Sequence, residues 1–316
     1  MIDFRYHIVS IVSIFLALAV GILLGAGPLQ EDLGKTLTSQ VSTLRQDKAD
    51  LRTQLDGVQR SVDASSRFAT DVTPQLVSAQ LGGYPIVVVT LPGADGDAVT
   101  ELVSVLTAAG ATVTGTVAVT TAWTDPATAA ARAQLVGSLS AAGGDATTSL
   151  DTRMGAVLAG ALVVDKLTEA GAATPASTQT LAALKQGDLL RFDGAGPAPA
   201  TLAVVVAPTP DAKASADQRR DVLSGWLGLA RGLDAAGRGT AVVGAPDSAA
   251  SGGLLAAVRS DDAAAKVVST VDDLSMPMGR IAAVYALREQ VAGQAGQYGV
   301  GPGASAVLPA LTAAGS

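Results

Sequence analysis

The chain has 316 residues and a mass of 31.3 kDa, with 48% hydrophobic and 16% charged residues, enough for a packed core and too apolar for a disordered chain. Its 21 Lys and Arg against 28 Asp and Glu leave a formal charge of -7, and no basic cluster with interleaved aromatics is present to meet a nucleic-acid backbone. The lack of cysteine excludes disulfides, zinc fingers, iron–sulfur clusters and thiolate copper sites, while a single histidine, His7, excludes paired-histidine metal motifs.

The first predicted element is a membrane helix. From Ile8 to Gln30 there is no charge, and at about 1.5 Å per residue such a run crosses a hydrocarbon core of roughly 30 Å. A cleaved export signal has an apolar core of only about 7–15 residues followed by a small-residue cut site. Here the best cut site, Gly25-Ala26-Gly27, is followed at once by Pro28, which favours an uncleaved anchor over residues 1–30. Arg5 and the α-amino group precede the run, and Glu31 and Asp32 follow it. By the positive-inside tendency the N-terminus is expected in the cytoplasm, with the C-terminal domain extracytoplasmic and the protein a single-pass component of the cell membrane. Gly21-xxx-Gly25 matches the small-residue spacing of packed membrane helices, a spacing that an Ala/Gly-rich chain also produces without pairing.

The opening stretch IDFRYHIVSIVSIFLALAVGILLGAGPL resembles the N-terminal signature of the actinobacterial copper-transporter B (MctB-like) family, and the later order of segments is compatible with it over the whole chain. The resemblance implies either copper homeostasis or a copper efflux pore. Similar proteins are also described as septal cell-separation factors of the SteB type, which pair with a second membrane protein and govern peptidoglycan hydrolysis.

Beyond the anchor, residues 31–79 read as a coiled-coil stalk. With Leu37, Leu44, Leu51 and Val58 at d and Val41, Lys48, Leu55 and Val62 at a, seven of eight seam positions are apolar over four heptads. Lys48 at an a position costs stability and selects register and strand number, because its ammonium must reach out of the seam. These eight residues are the predicted partner-binding face, for a coiled-coil protein partner or a homodimer. A single amphipathic helix lying on its own globular domain is the competing reading. The seam degrades after Val62, where Ser65 and Ala69 take the next positions, and Val72 and Leu76 restore it.

After Gly82-Gly83, short β-rich runs alternate with Ala/Leu helices, which predicts an α/β domain over 80–296: a mainly parallel, Rossmann-like sheet covered by helices. Five strands are expected: YPIVVVTL, ATVTGTVAVT, Leu202–Ala207, Thr240–Gly244 and Lys266–Thr270. After the first strand DAVTELVSVLTAAG reads as a helix, and later helices are expected near Ala127–Ala142, Arg153–Ala170, Ser177–Leu184, Ala216–Ala236, Gly252–Arg259 and Gly279–Gly293. The segment AGPAPA at 195–200 could join two halves. The apolar run Met154–Val164 is too short for a second membrane pass. Residues 297–316, rich in Gly, Pro and Ala, read as a disordered tail. Continuous apolar strands between helices disfavour a β-barrel channel, which needs alternating strands of about ten residues.

No Walker A motif occurs, and the Gly-x-Gly pairs at Gly194/Gly196 and Gly301/Gly303 lie among prolines, so no nucleotide and no cofactor is expected. Predicted strands instead run into acids: Asp95 and Asp97, Asp125, Asp211, Asp247, and the pair Asp272-Asp273. In a parallel sheet these gather at the carboxyl ends of the strands, where α/β folds place ligands, as an acidic rim suited to a hard cation or basic partner. Helix N-capping explains the same residues without any ligand. Copper prefers thiolate, thioether or imidazole, for which the chain offers His7 and the close pair Met276 and Met278. Methionine is more often core filling, and His7 more often interfacial. No catalytic set emerges, so the chain is expected to be no enzyme but an anchored interaction protein that controls septal hydrolysis, with copper transport the alternative.

Overall fold

The computed structural model describes residues 4–26, 28–139 and 148–310, with side chains of 26–36 outside the description. Helix α1, Phe4–Ala26, is apolar on every side, with a mean hydropathy of 2.8 from Phe4 to Gly25 and no part of it buried. An α-helix with no polar face is stable when surrounded by lipid, because all its backbone hydrogen bonds close within the segment. Helix α2, Pro28–Val77, runs for 50 residues. The described seam residues Leu37, Val41, Leu44, Leu51, Leu55, Val58 and Val62 are all exposed, from 40% at Val62 to 69% at Leu55.

Chain contacts divide the molecule into two units, Met1–Ser65 and Ser66–Ser316. The division falls earlier than the expected stalk boundary at 79, and the reason is burial. Thr73, Val77 and Leu81 are buried, and the Leu76 carbonyl accepts a 2.8 Å hydrogen bond from the Tyr285 hydroxyl, so the last turns of α2 belong to the α/β unit.

In that unit the chain continues as β1 (Pro85–Thr90), α3 (Gly96–Ala108), β2 (Thr112–Val119), α4 (Ala129–Leu139), α5 (Leu150–Leu162), α6 (Pro175–Gln186) and β3 (Leu190–Arg191). It is completed by β4 (Leu202–Val206), α7 (Ala216–Ala236), β5 (Gly239–Val243), α8 (Leu254–Ser260), β6 (Ser269–Val271), α9 (Pro277–Val291) and β7 (Gln297–Tyr298). Among the described residues these strands form one sheet in the order β3-β2-β1-β4-β5-β6-β7, parallel throughout except for the antiparallel β2–β3 pair.

The alternation of side chains explains why the strands read as unbroken apolar runs. Val87, Val89, Ala203, Val205 and Val242 enter one core, built with α4 to α8. Their neighbours Ile86, Val88, Leu202, Val204, Ala241 and Val243 enter a second core, built with α3, α9 and the end of α2. Both faces of the sheet are dry, so neither parity of a strand is polar.

Two helices of the first core meet backbone to backbone. A Cβ added at Gly155 of α5 would lie 2.3 Å from the Gly228 carbonyl oxygen of α7, and one at Gly232 would lie 2.6 Å from the Gly155 carbonyl carbon. Only glycine permits that approach.

Several expectations are corrected. The sheet has seven strands among the described residues rather than five, because β3 and β7 are two residues each and leave no pattern to read. The fifth expected strand, Lys266–Thr270, moves to Ser269–Val271: Asp261 accepts from the Ala263 and Ala264 amides at 3.0 and 2.8 Å and holds the chain in a turn after α8. The helix expected over Arg153–Ala170 ends at Leu162, since Val163 turns to an extended conformation and forms an isolated parallel bridge with Ala200, the Val164 amide donating to the Ala200 carbonyl and the Ala200 amide to the Leu162 carbonyl, both at 2.8 Å. The same bridge ties Ala200, the last residue of AGPAPA, to the end of α5. Of the helix expected over Ala127–Ala142, the part beyond Leu139 lies outside the described residues.

The tail expected over 297–316 begins instead with β7, paired with β6. A buried ion pair orders the segment beyond this strand: Arg259 and Asp272 meet at 2.8 Å with side chains 4% and 0% exposed. Arg259 donates to the Tyr298 and Pro302 carbonyls at 2.7 and 2.8 Å, while Asp272 accepts from the amides of Val300 at 2.7 Å and Gly301 at 3.0 Å. Residues 311–316 lie outside the description.

The close helix crossing predicts opposite effects for two glycines of α5. Gly155→Ala should lower stability by about 1–3 kcal/mol through overpacking. Gly160→Ala, whose added Cβ meets nothing within 4 Å, should raise it by about 0.5–1 kcal/mol through helix propensity. Chemical denaturation of the two variants checks both signs.

Candidate functional site

All six parallel strands of the sheet deliver their carboxyl ends to one edge, and the chain leaves β1 and β4, which are neighbours, toward opposite sides. That reversal leaves a crevice between the two exits. It is a cleft of about 650 Å³, lined by Pro92 after β1, Thr121 and Thr124 to Pro126 after β2, Pro208 to Asp211 with Lys213 and Ala214 after β4, the first turns of α7 through Trp226, and Gly252 to Leu254 after β5. Its size is that of a small-ligand or short-peptide site.

The acids expected as a rim separate into three groups. Asp125 and Asp211 line the cleft, joined by Asp221 of α7, which sequence reasoning missed. Each of the first two spends one oxygen on its own loop: Asp125 accepts from the Ala127 amide and Asp211 from the Lys213 amide, both at 2.8 Å. Asp95, Asp97 and Asp247 do not line the cleft. Asp95 caps α3, accepting from the Asp97 and Ala98 amides at 2.9 and 3.4 Å, and Asp97 sits in the first turn of that helix. Asp247 is exposed in the short 3-10 turn Pro246–Ala249. A continuous acidic rim is therefore not built. Asp272 and Asp273, read as the acidic exit of the last strand, turn inward and are 0% and 2% exposed.

Charges that sequence reasoning overlooked give the cleft its shape. Arg132, 5% exposed in the Ala-rich helix α4, donates to the carbonyls of Trp123 and Asp125 and to Thr128 Oγ1, and so staples the loop that carries Asp125. A lone arginine in AAARAQLV was the only available hint. Arg219 donates to the Ala214 carbonyl, and its side chain lies over Gly252, where an added Cβ would sit 3.0 Å from Arg219 Cδ. The N-terminus of α7 is closed by a capping box in which Ser215 and Gln218 bond reciprocally to each other's amides.

Metal ligands do not converge. Among the described residues, no group of three or more His, Cys, Asp or Glu side chains could hold a metal ion. His7 lies exposed near the start of α1; Met276 is the residue before α9 and Met278 lies in its first turn, 37% exposed. Away from the cleft, the apolar residues expected as a seam lie exposed along α2.

The chain as a whole has known relatives. The family described as "Copper transport outer membrane protein, MctB" matches residues 1–309. The chain belongs to the MctB family. Proteins named "Copper transporter MctB" from Mycobacterium tuberculosis (strain ATCC 25618 / H37Rv) and Mycobacterium bovis (strain ATCC BAA-935 / AF2122/97) are each 31% identical over 97% of this chain and 99% of their own length. A Mycobacterium leprae (strain TN) protein of the same name is 31% identical over the same shares. None of these names is that of an enzyme, and the membrane association of the MctB family agrees with the apolar α1. Among the described residues the sheet is open, with β3 as its outer strand on one side and β7, bridged on its outer side to Ala306, on the other.

Asp273 provides a test that reads burial directly. No other residue donates a hydrogen bond to its carboxylate, and burial, with the charge of Asp272 beside it, pushes its pKa up to about 6 against the weaker pull of its own amide and of Arg259. The unfolded value is near 3.8, so the native state binds the extra proton between those two values and loses stability as pH rises toward and past 6. Asp273→Asn should therefore be more stable than the parent at pH 7.5, by on the order of 2–3 kcal/mol, and close to it at pH 4.5. Thermal melts at the two pH values give the comparison.

Proposed function

We propose that this protein is an anchored cell-envelope adaptor that acts by pairing the heptad face of α2 with a coiled-coil helix of a partner membrane protein. The single observation that carries the reading is the seam itself: seven apolar residues at heptad spacing, all exposed on one described helix and each left in water unless a second helix covers it. The adjacent anchor makes a parallel, membrane-proximal pairing the natural one. Lys48 gives that pairing its selectivity. The anchor sits in the cell membrane with its N-terminus in the cytoplasm and α2 and the α/β unit on the outer side. In this role the protein performs no chemistry itself, and the process it serves is septal peptidoglycan hydrolysis and cell separation, the role that the resemblance to SteB-type factors implies.

The absence of cysteine makes the test clean. Leu44→Cys, at a d position and labelled with a benzophenone maleimide, should give a cross-linked species on illumination of membranes, whereas Gln46→Cys labelled in the same way, on the opposite side of the same helix, should not. Mass spectrometry of the linked species separates a partner from a second copy. In intact cells a membrane-impermeant maleimide should label Gln46→Cys if the assigned orientation holds. Equal cross-linking at both positions, or none at Leu44→Cys, removes the pairing.

The second reading is copper transport, favoured by the names of the MctB relatives. Copper would be cargo, and the soft donors available for it are the thioethers of Met276 and Met278. Two thioethers without a third soft donor make a poor Cu(I) site. Titration of the full-length protein in detergent decides: sub-micromolar copper binding that disappears in the Met276→Leu, Met278→Leu double variant would establish the copper reading, and its absence is expected.

A further inference from the structure

The apolar seam of α2 is flanked by charges, and their order bears on what covers it. With Val41, Lys48, Leu55 and Val62 at a, Arg45 and Arg52 fall at e, which borders the a side of the seam, and Asp47 falls at g, which borders the d side. Asp50 continues the acidic side one turn on. All five charges are exposed on the one continuous helix, and among the described residues none of them is in an ion pair. Arg45, Lys48 and Arg52 follow one another at spacings of three and four, so within a single helix they are like-charged neighbours that oppose helix formation. One flank of the seam is thus basic and the other acidic.

Two copies of such a helix can share a seam in two directions, and the charges choose between them. In a parallel pair the g residue of one helix faces the e residue of the next heptad in the other, so Asp47 of each copy meets Arg52 of the second copy. Lys48 at a packs beside the same Asp47, so the one polar seam residue also finds a carboxylate. A two-fold interface makes each of these contacts twice. In an antiparallel pair e faces e and g faces g, which sets the two basic flanks against each other. The sequence is therefore complementary to itself in one direction and repulsive in the other.

We propose that α2 pairs with α2 of a second copy of this chain, parallel and in register, with Asp47 of each copy against Arg52 and Lys48 of the other. The inference rests on the heptad pairing proposed above and names the partner in it. The apolar a and d residues hold the two helices together, while the charges at the rim set direction and partner more than strength.

The test co-expresses two forms of the full-length protein that differ only in their affinity tags, and purifies them through one tag in detergent. Unaltered copies should co-purify. Asp47→Arg places two cations face to face at both contacts, and Arg52→Asp places two carboxylates there, so either variant paired with itself should co-purify about tenfold less. Asp47→Arg co-expressed with Arg52→Asp has opposite charges at both contacts again, and co-purification should return toward that of the unaltered copies. A variant that merely failed to fold would not recover in this way. If unaltered copies do not co-purify while Leu44→Cys still cross-links to a different protein, the second copy is overturned and the heptad pairing stands. If neither association is found, both are overturned. Co-purification that the charge reversals leave unchanged, or that the mixed pair does not restore, overturns the parallel register of Asp47 on Arg52.

Discussion

The burial of the central strands on both faces is the constraint on which the rest of the α/β unit depends. Once β1, β4 and β5 have helices above and below, every residue along them must be apolar, and their valines and alanines satisfy this in both parities. Two cores of different make-up then form. One closes through the glycine-mediated contact of α5 with α7. The other takes in the end of α2 through Val77, with Leu81 just beyond it, so that the long helix ends inside the fold rather than before it. The parallel order also decides where a ligand site can be, because it sends all the helix-bound loops to one edge.

That edge is held by buried arginines rather than by regular structure. Arg132 fixes the loop after β2, Arg259 ties β6 to the segment beyond β7, and Arg280, 8% exposed, donates to the Leu274 and Ser275 carbonyls and pairs with Glu101 at 2.6 Å. A guanidinium with five donors can satisfy several carbonyls at once, which suits loops that lack a ladder of their own. Of the three, Arg132 bears on the cleft, because the loop it holds carries Asp125.

What the sequence makes legible is what repeats. Period-free apolar runs announced the strands, the heptads announced the long helix, and the first thirty residues announced both the apolar first helix and the MctB family to which the chain belongs. What it hid is non-periodic. A two-residue strand such as β3 has no pattern, and the order of the segment after β7 rests on one ion pair between residues 13 apart, Arg259 and Asp272. The acids at strand exits showed the same limit: composition placed them near one edge, but capping at Asp95 and burial at Asp272 and Asp273 removed them from it. Asp221 and Trp226 entered the cleft from a helix whose spacing alone announced nothing.

The two edge strands have a further effect that concerns solubility rather than binding. A protein of a membrane-associated family works close to a plane, where its copies meet far more often than in free solution. An open parallel sheet in that setting is exposed to edge-to-edge association, since unpaired backbone groups on an outer strand can template another chain. Here one edge, β3, is two residues long, runs against its neighbour's direction and carries Arg191, whose side chain is 75% exposed. The other, β7, is equally short and is followed at once by the glycine-rich turn that Arg259 and Asp272 hold down. Crowding on a membrane thus finds no edge long enough to extend, and association is left to the surfaces on which side chains, rather than bare backbone, choose the partner.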